Sequence, residues 1–253
     1  MIKKKVIILA TAGLTTNLLH EVLSKHYEVS QVFIEQKISK KIIIKNRIKK
    51  LGFLKVFGQL VFMISVPKIL SRFSKKRINQ ILNANNLTGL PIPKRKIKHI
   101  TSINNKDTIG LINTINPDLI FVNGTRIISK QIIKGIKSKL INIHVGITPK
   151  YRGVHGGFWA LYNKQPHLFG TTLHYIDSGV DTGLVIGQKT CVVTKNDNFS
   201  TYPILQFCLG LELIENNLNS LHHAEPKVAL VSESSLYYHP TVWEYLYCRM
   251  LKK

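Results

Sequence analysis

The sequence predicts an α/β fold: a Rossmann-like, mostly parallel twisted sheet with flanking helices, extended by a basic helical insertion. Three observations lead to this prediction. The amino-terminal residues alternate strand-like and helix-like segments, and a buried or half-buried strand recurs at residues 139–145. In addition, 253 residues with 44% hydrophobic content can bury a full core. Alternating strands and helices form parallel sheets with right-handed crossovers.

The amino-terminal residues predict one βαβ unit. Residues 5–10 have the pattern of a strand, residues 18–26 that of a helix, and residues 28–34 that of a second strand. Hydroxyl and backbone N–H groups at a helix amino terminus favour anions, which makes the intervening turn a candidate substrate-binding segment. Its candidate residues are Gly13, Thr15, Thr16 and Asn17. An ordinary helix N-cap explains the same residues equally well.

Residues 37–98 form an unusually basic segment. They contain 17 Lys or Arg and no Asp or Glu, and they supply most of the formal net charge of +23. Their apolar run, residues 51–64, is shorter than the roughly 18 residues expected of a spanning helix. We expect two helices broken at residues 65–67, because proline suits a helix start.

Two interpretations of this segment stay open. It is either a helical insertion packed on the sheet, in a chain rich in Lys, Ile and Asn, or a basic amphipathic surface. Such a surface would bind anionic lipid or a polyanionic substrate.

The strand at residues 139–145 carries the first candidate catalytic side chains. Side chains of a strand alternate between faces, so Asn142 and His144 point the same way, with Cβ atoms roughly 6–7 Å apart. Pro149 ends the strand, and a polar, glycine-rich loop follows at residues 151–157. A lone Asn-x-His pair would most often cap a strand end.

Two aspartates follow on one tight connection. A strand at residues 170–176 leads into Asp177, and a strand at residues 183–188 starts just after Asp181. Alone, each aspartate would be a turn residue, since Asp-Ser-Gly is a common turn signal. A carboxamide, an imidazole and a carboxylate together can stabilise an oxyanion and move a proton. Asn142, His144 and Asp181 are therefore the candidate catalytic residues.

These motifs together resemble the folate-dependent formyltransferases, the enzymes that use 10-formyltetrahydrofolate. The resemblance rests on Asn-x-His at 142–144, Pro-Lys-Tyr-Arg-Gly at 149–153 and the run at 170–183, and it extends upstream to 116–129. It is strongest over residues 110–190, weaker over 1–35 and absent over 37–98. The resemblance implies the formyltransferase fold, with Asn142, His144 and Asp181 as the catalytic triad.

The resemblance also implies where the folate is held. The loop at residues 123–127 and the connection at residues 177–181 match the segments that hold its pterin. The implied cofactor-binding residues are Asn123, Gly124, Thr125, Arg126, Ile127, Asp177 and Gly179. Gly13 and Asn17 resemble the family's phosphate-holding turn, from which residues 14–16 depart. In the loop after the catalytic strand, Lys150, Tyr151 and Arg152 are further candidates for binding substrate.

The expected reaction is formyl transfer from 10-formyltetrahydrofolate to the amine of a small acceptor. A nucleotide-linked amino sugar of surface-polysaccharide synthesis, such as that of the lipopolysaccharide O-antigen, is the leading hypothesis, because positive charge in the cleft suits its diphosphate. Glycinamide ribonucleotide of purine synthesis is the alternative. A further interpretation is a module that binds folate without turnover, or a membrane-tethered subunit of a larger assembly.

The sequence argues against nucleic acid as a partner, and thus against a transfer-RNA acceptor. The basic segment has no interleaved Tyr or Trp to stack on bases. Transfer-RNA formyltransferases carry a carboxy-terminal domain, whereas only about 30 residues follow Leu221.

We expect a catalytic domain over residues 1–221 and a short carboxy-terminal extension with a terminal helix over residues 222–253. Three widely spaced cysteines form no CxxC pair, and the histidines have no partners at ligand spacing, so no disulfide framework and no metal site are expected. The apolar run at residues 6–12 is too short for a signal peptide. The expected location is the cytoplasm, at the inner membrane surface if residues 37–98 bind lipid. The oligomeric state is not defined by the sequence.

Overall fold

A computed structural model of the chain describes residues 3–37, 40–222 and 227–251. Residues 38–39 of the predicted insertion lie outside the described residues. So do residues 223–226 and 252–253 of the predicted carboxy-terminal extension.

Strands and helices alternate through the first half of the chain, as the sequence predicts. The elements are β1 Lys5–Ala10, α1 Leu14–His26, β2 Glu28–Glu35, α2 Lys40–Leu51, α3 Phe53–Ala84, β3 Ile97–Ile100, α4 Lys106–Ile115, β4 Leu119–Asn123, α5 Lys130–Gly135 and β5 Lys139–His144.

The second half contains four strands and three helices within the described residues. They are β6 Arg152–Gly153, α6 Gly156–Tyr162, β7 Gly170–Tyr175, β8 Val185–Thr190, α7 Tyr202–Asn216, β9 Leu236–Tyr237 and α8 Val242–Leu251. Single 3-10 turns occur at Lys94–Lys96 and Pro166–Leu168.

Seven strands form one sheet in the order β3-β2-β1-β4-β5-β7-β8. The first five are parallel, and β7 and β8 are antiparallel to their neighbours. The mostly parallel sheet predicted from the sequence is therefore confirmed. Strands β6 and β9 form a separate parallel pair, which joins the loop after β5 to the carboxy-terminal segment.

Helices cover both faces of the sheet, which explains why residues 6–10 of β1 are all apolar. Its Val6 and Ile8 belong to the core cluster that contains α1 and α7 residues. Its Ile7 and Leu9 belong to the cluster that contains α4 and α5 residues. A third cluster, rich in aromatic side chains, joins α3, α6 and α8.

The insertion contains two helices, but the predicted break at residues 65–67 is wrong. Pro67 lies inside α3, and the chain breaks at Gly52, whose φ of 82° favours glycine. A proline in a helix interior typically costs about 3 kcal/mol.

Tertiary packing of α3 offsets that cost. Phe62 is buried in the aromatic cluster, Gln59 donates a 2.7 Å hydrogen bond to the His239 carbonyl, and Arg77 pairs with Asp197 at 2.8 Å. These contacts lie on both sides of Pro67, and they keep the helix continuous.

Candidate active site

The internal strand β5 places two polar side chains in one cavity. Asn142 lies opposite His174 of the antiparallel strand β7, and His144 lies opposite Thr172. Asn142, His144 and His174 all line a cavity of about 530 Å³. This volume lies within the range of small-molecule sites.

His144 is held at both ring nitrogens. Its Nδ1 lies 3.3 Å from Asp181 Oδ2, and its Nε2 donates to the Tyr151 backbone carbonyl at 2.7 Å. Only 5% of the side chain is exposed. Both partners are acceptors, so a ring protonated on both nitrogens satisfies both of them.

Asp181 is fixed by its backbone and by one hydrogen bond besides its contact with His144. Its φ of 51° is left-handed, a conformation that aspartate adopts more readily than most residues. The backbone N–H of Gly153 donates to Oδ2 at 2.9 Å, and Oδ1 lies 3.7 Å from His174 Nε2. The structure therefore brings together the three side chains that the sequence predicts to be catalytic.

His174 is a site residue that the sequence analysis missed. Burial lowers its pKa, and the neighbouring His144 lowers it further. A neutral ring can donate from Nδ1 to the Tyr175 carbonyl at 2.7 Å, and its Nε2 then accepts from the Asn142 amide at 3.2 Å. This contact directs the Asn142 nitrogen, which has a second N–H that can donate to a ligand. The motif Gly-Thr-Thr-x-His was the signal for this residue.

The loop after β4 forms one wall of the cavity. Gly124, Thr125, Arg126 and Ile127 line it, as do Val122 and Ile128. Arg126 lies 2.6 Å from the buried carboxylate of Glu35, which also accepts from the Arg126 backbone N–H at 3.0 Å. Arg126 therefore anchors this loop. Asn123 does not line the cavity; its amide donates to the hydroxyls of Thr15 and Thr16.

The connection between β7 and β8 forms the opposite wall. Asp177, Gly179 and Asp181 line the cavity there. Asp177 Oδ1 accepts from the Gly179 backbone N–H at 3.0 Å and from the Thr182 hydroxyl at 2.7 Å. These bonds fix the shape of the connection. Its role in holding a ligand stays a prediction.

The turn at the start of α1 lies outside the lining of this cavity. The Thr15 and Thr16 hydroxyls accept from Asn123, and Thr16 donates to the Thr11 carbonyl at 2.6 Å. The amide of Asn17 donates to the Gly89 carbonyl. Gly13 precedes the helix with φ near 168°. The structure therefore does not bring these predicted residues to the catalytic cavity.

The loop after β5 holds Tyr151 in the interior. Its side chain is wholly buried and its hydroxyl donates to Gln165, and a role of Tyr151 in binding substrate stays a prediction. Its contribution is the carbonyl that accepts from His144. Lys150 pairs with Glu233, and Arg152 donates to the Val180 carbonyl at 3.2 Å.

Arg47 and Lys50 of α2 line the cavity as well. The Lys50 Nζ lies 5.3 Å from the centroid of the Tyr238 ring. Burial lowers the pKa of Arg47. The inserted helix thus adds two cations to the cavity. The acid-free composition of residues 37–98 was the signal, although it does not indicate which cations face inward.

Two histidines lie near Arg47. His155 Nε2 and His239 Nδ1 are 2.9 Å apart. Burial lowers the pKa of His155 to about 3, helped by His239 and Arg47, and burial together with Arg47 lowers that of His239 to about 4. Both rings are neutral at pH 7, so Arg47 and Lys50 carry the positive charge at this end of the cavity.

The fold and the site define an α/β protein with an Asn-His-Asp cluster in a cavity beside an internal strand of the sheet. The sequence profile described as "Formyl transferase" matches residues 55–203, more than half of the chain. The chain belongs to this family. The match includes most of α3, where the sequence analysis found no resemblance.

Similar proteins agree with this assignment. The methionyl-tRNA formyltransferase of Thermodesulfovibrio yellowstonii is 33% identical over 114 residues, which is 45% of this chain but only 37% of that protein. A sugar N-formyltransferase of a Shewanella species superposes with a TM-score of 0.57 at 14% identity, over 92% of this chain and 76% of that one. The phosphoribosylglycinamide formyltransferase of Anaplasma phagocytophilum superposes with a TM-score of 0.56 at 15% identity, over 92% of this chain and 98% of that one. At these identities the two structures show a shared fold.

Proposed function

We propose that this protein transfers a formyl group from 10-formyltetrahydrofolate to the amine of a small acceptor. The observation that carries the proposal is the contact of 3.3 Å between His144 Nδ1 and Asp181 Oδ2, beside Asn142 in one cavity. A chain that only bound folate would have no physical need for all three groups.

The three side chains suit the charge changes of formyl transfer. When the amine nitrogen bonds to the formyl carbon, negative charge develops on the formyl oxygen. Asn142 can donate an N–H to this oxygen, and a protonated His144 ring places positive charge beside it. One such donor is typically worth about 2.7–4 kcal/mol of barrier.

The proton balance assigns a part to Asp181. The bond between the formyl carbon and the carrier nitrogen breaks, the carrier nitrogen gains a proton, and the acceptor nitrogen loses one. Asp181 stabilises a cationic His144 ring and can hold a water that relays the proton.

The cavity walls suit the flat ring of a folate. Val122, Ile128 and Ile176 are apolar, and the neighbouring loop residues Gly124 and Gly179 offer backbone groups. Apolar walls with a few placed polar groups are typical of sites for such ligands. The residues present therefore fit the donor.

For the acceptor, we propose a nucleotide-linked amino sugar. Arg47 and Lys50 place two cations in the cavity that contains the catalytic side chains, where they suit a diphosphate. Tyr238 lines the same end and can offer an aromatic face to a base or sugar ring, whereas Tyr237 packs against Tyr151 and Trp159. The sugar N-formyltransferase fold is consistent with this acceptor.

The proposal is tested by incubating the chain with 10-formyltetrahydrofolate and each of three kinds of amine. These are a set of nucleotide-linked amino sugars, glycinamide ribonucleotide and initiator methionyl-tRNA. Formylated product is detected by mass spectrometry. We expect product with at least one amino sugar. Product with glycinamide ribonucleotide or tRNA alone would refute the proposal that the acceptor is a nucleotide-linked amino sugar. Binding of the donor without product from any amine would refute formyl transfer itself.

A further inference from the structure

Helix α3 exposes large apolar side chains. The exposed fractions of Phe53, Leu54 and Ile64 are 70, 71 and 72%. Phe57 is half exposed, and its ring stacks on Phe53 with centroids 6.3 Å apart. Scattered single apolar residues are normal on a protein surface, whereas a contiguous group including an aromatic pair indicates a contact surface.

Three of these residues share one face of the helix. At 100° per residue, Phe53, Phe57 and Ile64 lie within about 40° of one another. The exposed residues Lys68 and Lys75 continue the same face towards the carboxyl end. We call these five residues the α3 outer face. It is apolar over its first three turns and basic beyond them.

Other side chains of α3 hold the helix against the rest of the protein, although Ile69 and Phe73 are exposed. Val56, Phe62 and Ile81 are buried, and Arg77 pairs with the buried Asp197 at 2.8 Å. By length and composition α3 could cross a membrane, and it is the one such helix among the described residues. Crossing a membrane would break these buried contacts and leave Asp197 without its partner Arg77. The packing therefore favours a helix that lies in the plane of an interface.

The charge around the outer face selects its partner. Residues 37–98 contain 17 basic and no acidic residues. A second copy of this chain would bring two positive faces together, which like-charge repulsion opposes. A bilayer with anionic head groups attracts basic side chains and accepts apolar ones at its acyl boundary.

We propose that the α3 outer face docks this protein onto an anionic bilayer. Phe53, Phe57 and Ile64 enter the boundary of the acyl chains, and Lys68 and Lys75 meet head-group phosphates. Helix α2, which precedes α3 directly, carries Arg47 and Lys50 in the lining of the catalytic cavity. Docking therefore brings this end of the cavity close to the bilayer surface.

Sedimentation of the full chain with vesicles tests the proposal. The vesicles are phosphatidylcholine alone, or phosphatidylcholine with about one third phosphatidylglycerol, at low and at high salt. We expect binding to the anionic vesicles that weakens at high salt, and little binding to the neutral ones. From the contribution of each basic residue near an anionic surface, Lys68→Glu with Lys75→Glu should weaken binding at least about tenfold. Phe53→Ser with Phe57→Ser should also weaken it at least about tenfold, from the apolar area lost.

Matched controls lie on the opposite face of the sheet and in an exposed loop. Lys106→Glu with Lys130→Glu makes the same charge change on α4 and α5, and Val192→Ser removes a valine that is 86% exposed. Both controls should bind as the unmodified chain does. The proposal is overturned if anionic vesicles do not sediment the chain at low salt, or if the controls weaken binding as much as the surface variants. Self-association that requires Phe57, without vesicle binding, would assign the surface to a second copy instead.

Discussion

His144 is the side chain on which the proposed chemistry depends most, because it contacts Asp181 and lines the cavity beside Asn142. We predict that His144→Ala lowers kcat for formyl transfer by about 10²–10³, the typical cost of losing one group that stabilises a developing oxyanion. Donor affinity should stay within about threefold, since the loop and connection that form the cavity walls remain. Steady-state kinetics and calorimetric titration of the folate measure the two quantities.

His144→Gln is the matched variant for this test. It keeps an N–H donor but cannot carry the positive charge that Asp181 stabilises. We expect it to retain more activity than His144→Ala and less than the unmodified enzyme. Turnover of His144→Ala at the rate of the unmodified enzyme would contradict the mechanism.

His174 acts on the site through another side chain, by accepting from the Asn142 amide. We predict that His174→Leu lowers kcat at least about tenfold while KM for the donor changes little, because Asn142 loses the partner that orients its N–H group. His174→Gln offers a side-chain oxygen to Asn142 and should recover part of the loss. If both variants lose only stability and keep kcat, His174 is a core residue and has no positioning role.

At the level of single residues, strand periodicity was sufficient to bring Asn142 and His144 to one face. The grouping of Asp181 with them rested on the chemistry of the three side chains and on the family resemblance. Burial of Tyr151 could not be predicted in the same way. Its position after Pro149 indicates an exposed loop, but Gln165 and the aromatic ring of Tyr237 enclose it from distant parts of the chain.

Helix α2 is the element whose role the sequence left undefined, and it carries a prediction about the acceptor. Arg47→Ala with Lys50→Ala should raise KM for a diphosphate-bearing acceptor at least about tenfold, because each charge-assisted hydrogen bond is worth about 1.5–3 kcal/mol. Donor KM should not change. Initial-rate kinetics with the acceptor and donor varied separately provide the measurement.

Lys49 supplies the control for this prediction, since it is exposed on the same helix and does not line the cavity. Lys49→Ala removes one positive charge from the insertion, whereas the double variant removes two. Rises in KM in proportion to the charge removed would mean that only net charge attracts the acceptor, without a defined anion site.

The element boundaries within the insertion show where sequence reasoning reached its limit. Locally, proline predicts a helix start. In α3, however, contacts with Asp197, with the His239 carbonyl and with the aromatic cluster outweigh the local cost of Pro67. Gly52, with its left-handed backbone, is the true break. Long-range packing therefore determines that the chain breaks at Gly52 and continues as a helix through Pro67.

At the scale of the whole molecule, the carboxy-terminal segment encloses one end of the catalytic cavity. Strand β9 pairs with β6, and the Trp159 indole donates to the Tyr238 carbonyl at 3.0 Å. These contacts join residues about 80 positions apart, which explains why the parallel sheet was predictable from local patterns and this closure was not. Lys50 of the insertion lies over the ring of Tyr238 in the carboxy-terminal segment. The insertion and the carboxy-terminal segment therefore complete the cavity together.

The His155–His239 pair makes this closure sensitive to acid. Both rings have lowered pKa values, about 3 and about 4, so the unfolded chain binds protons below pH 6.5 that the folded pair does not. Stability is therefore fully present above about pH 6.5 and falls as the pH drops towards 4. We predict a loss of about 1.4 kcal/mol per pH unit for one histidine in that window.

Urea unfolding between pH 4.5 and 7.5 measures this dependence, and the difference between variants isolates the pair from other titrating groups. His155→Asn with His239→Asn should flatten the pH dependence, and asparagine tolerates the left-handed backbone of residue 155, whose φ is 60°. His99→Asn, at an exposed histidine on β3, is the matched control for replacing a histidine by asparagine. Equal slopes for the unmodified chain and the double variant would show that the pair does not stay neutral in the folded protein. The cationic end of the cavity would then include charged histidines as well as Arg47 and Lys50.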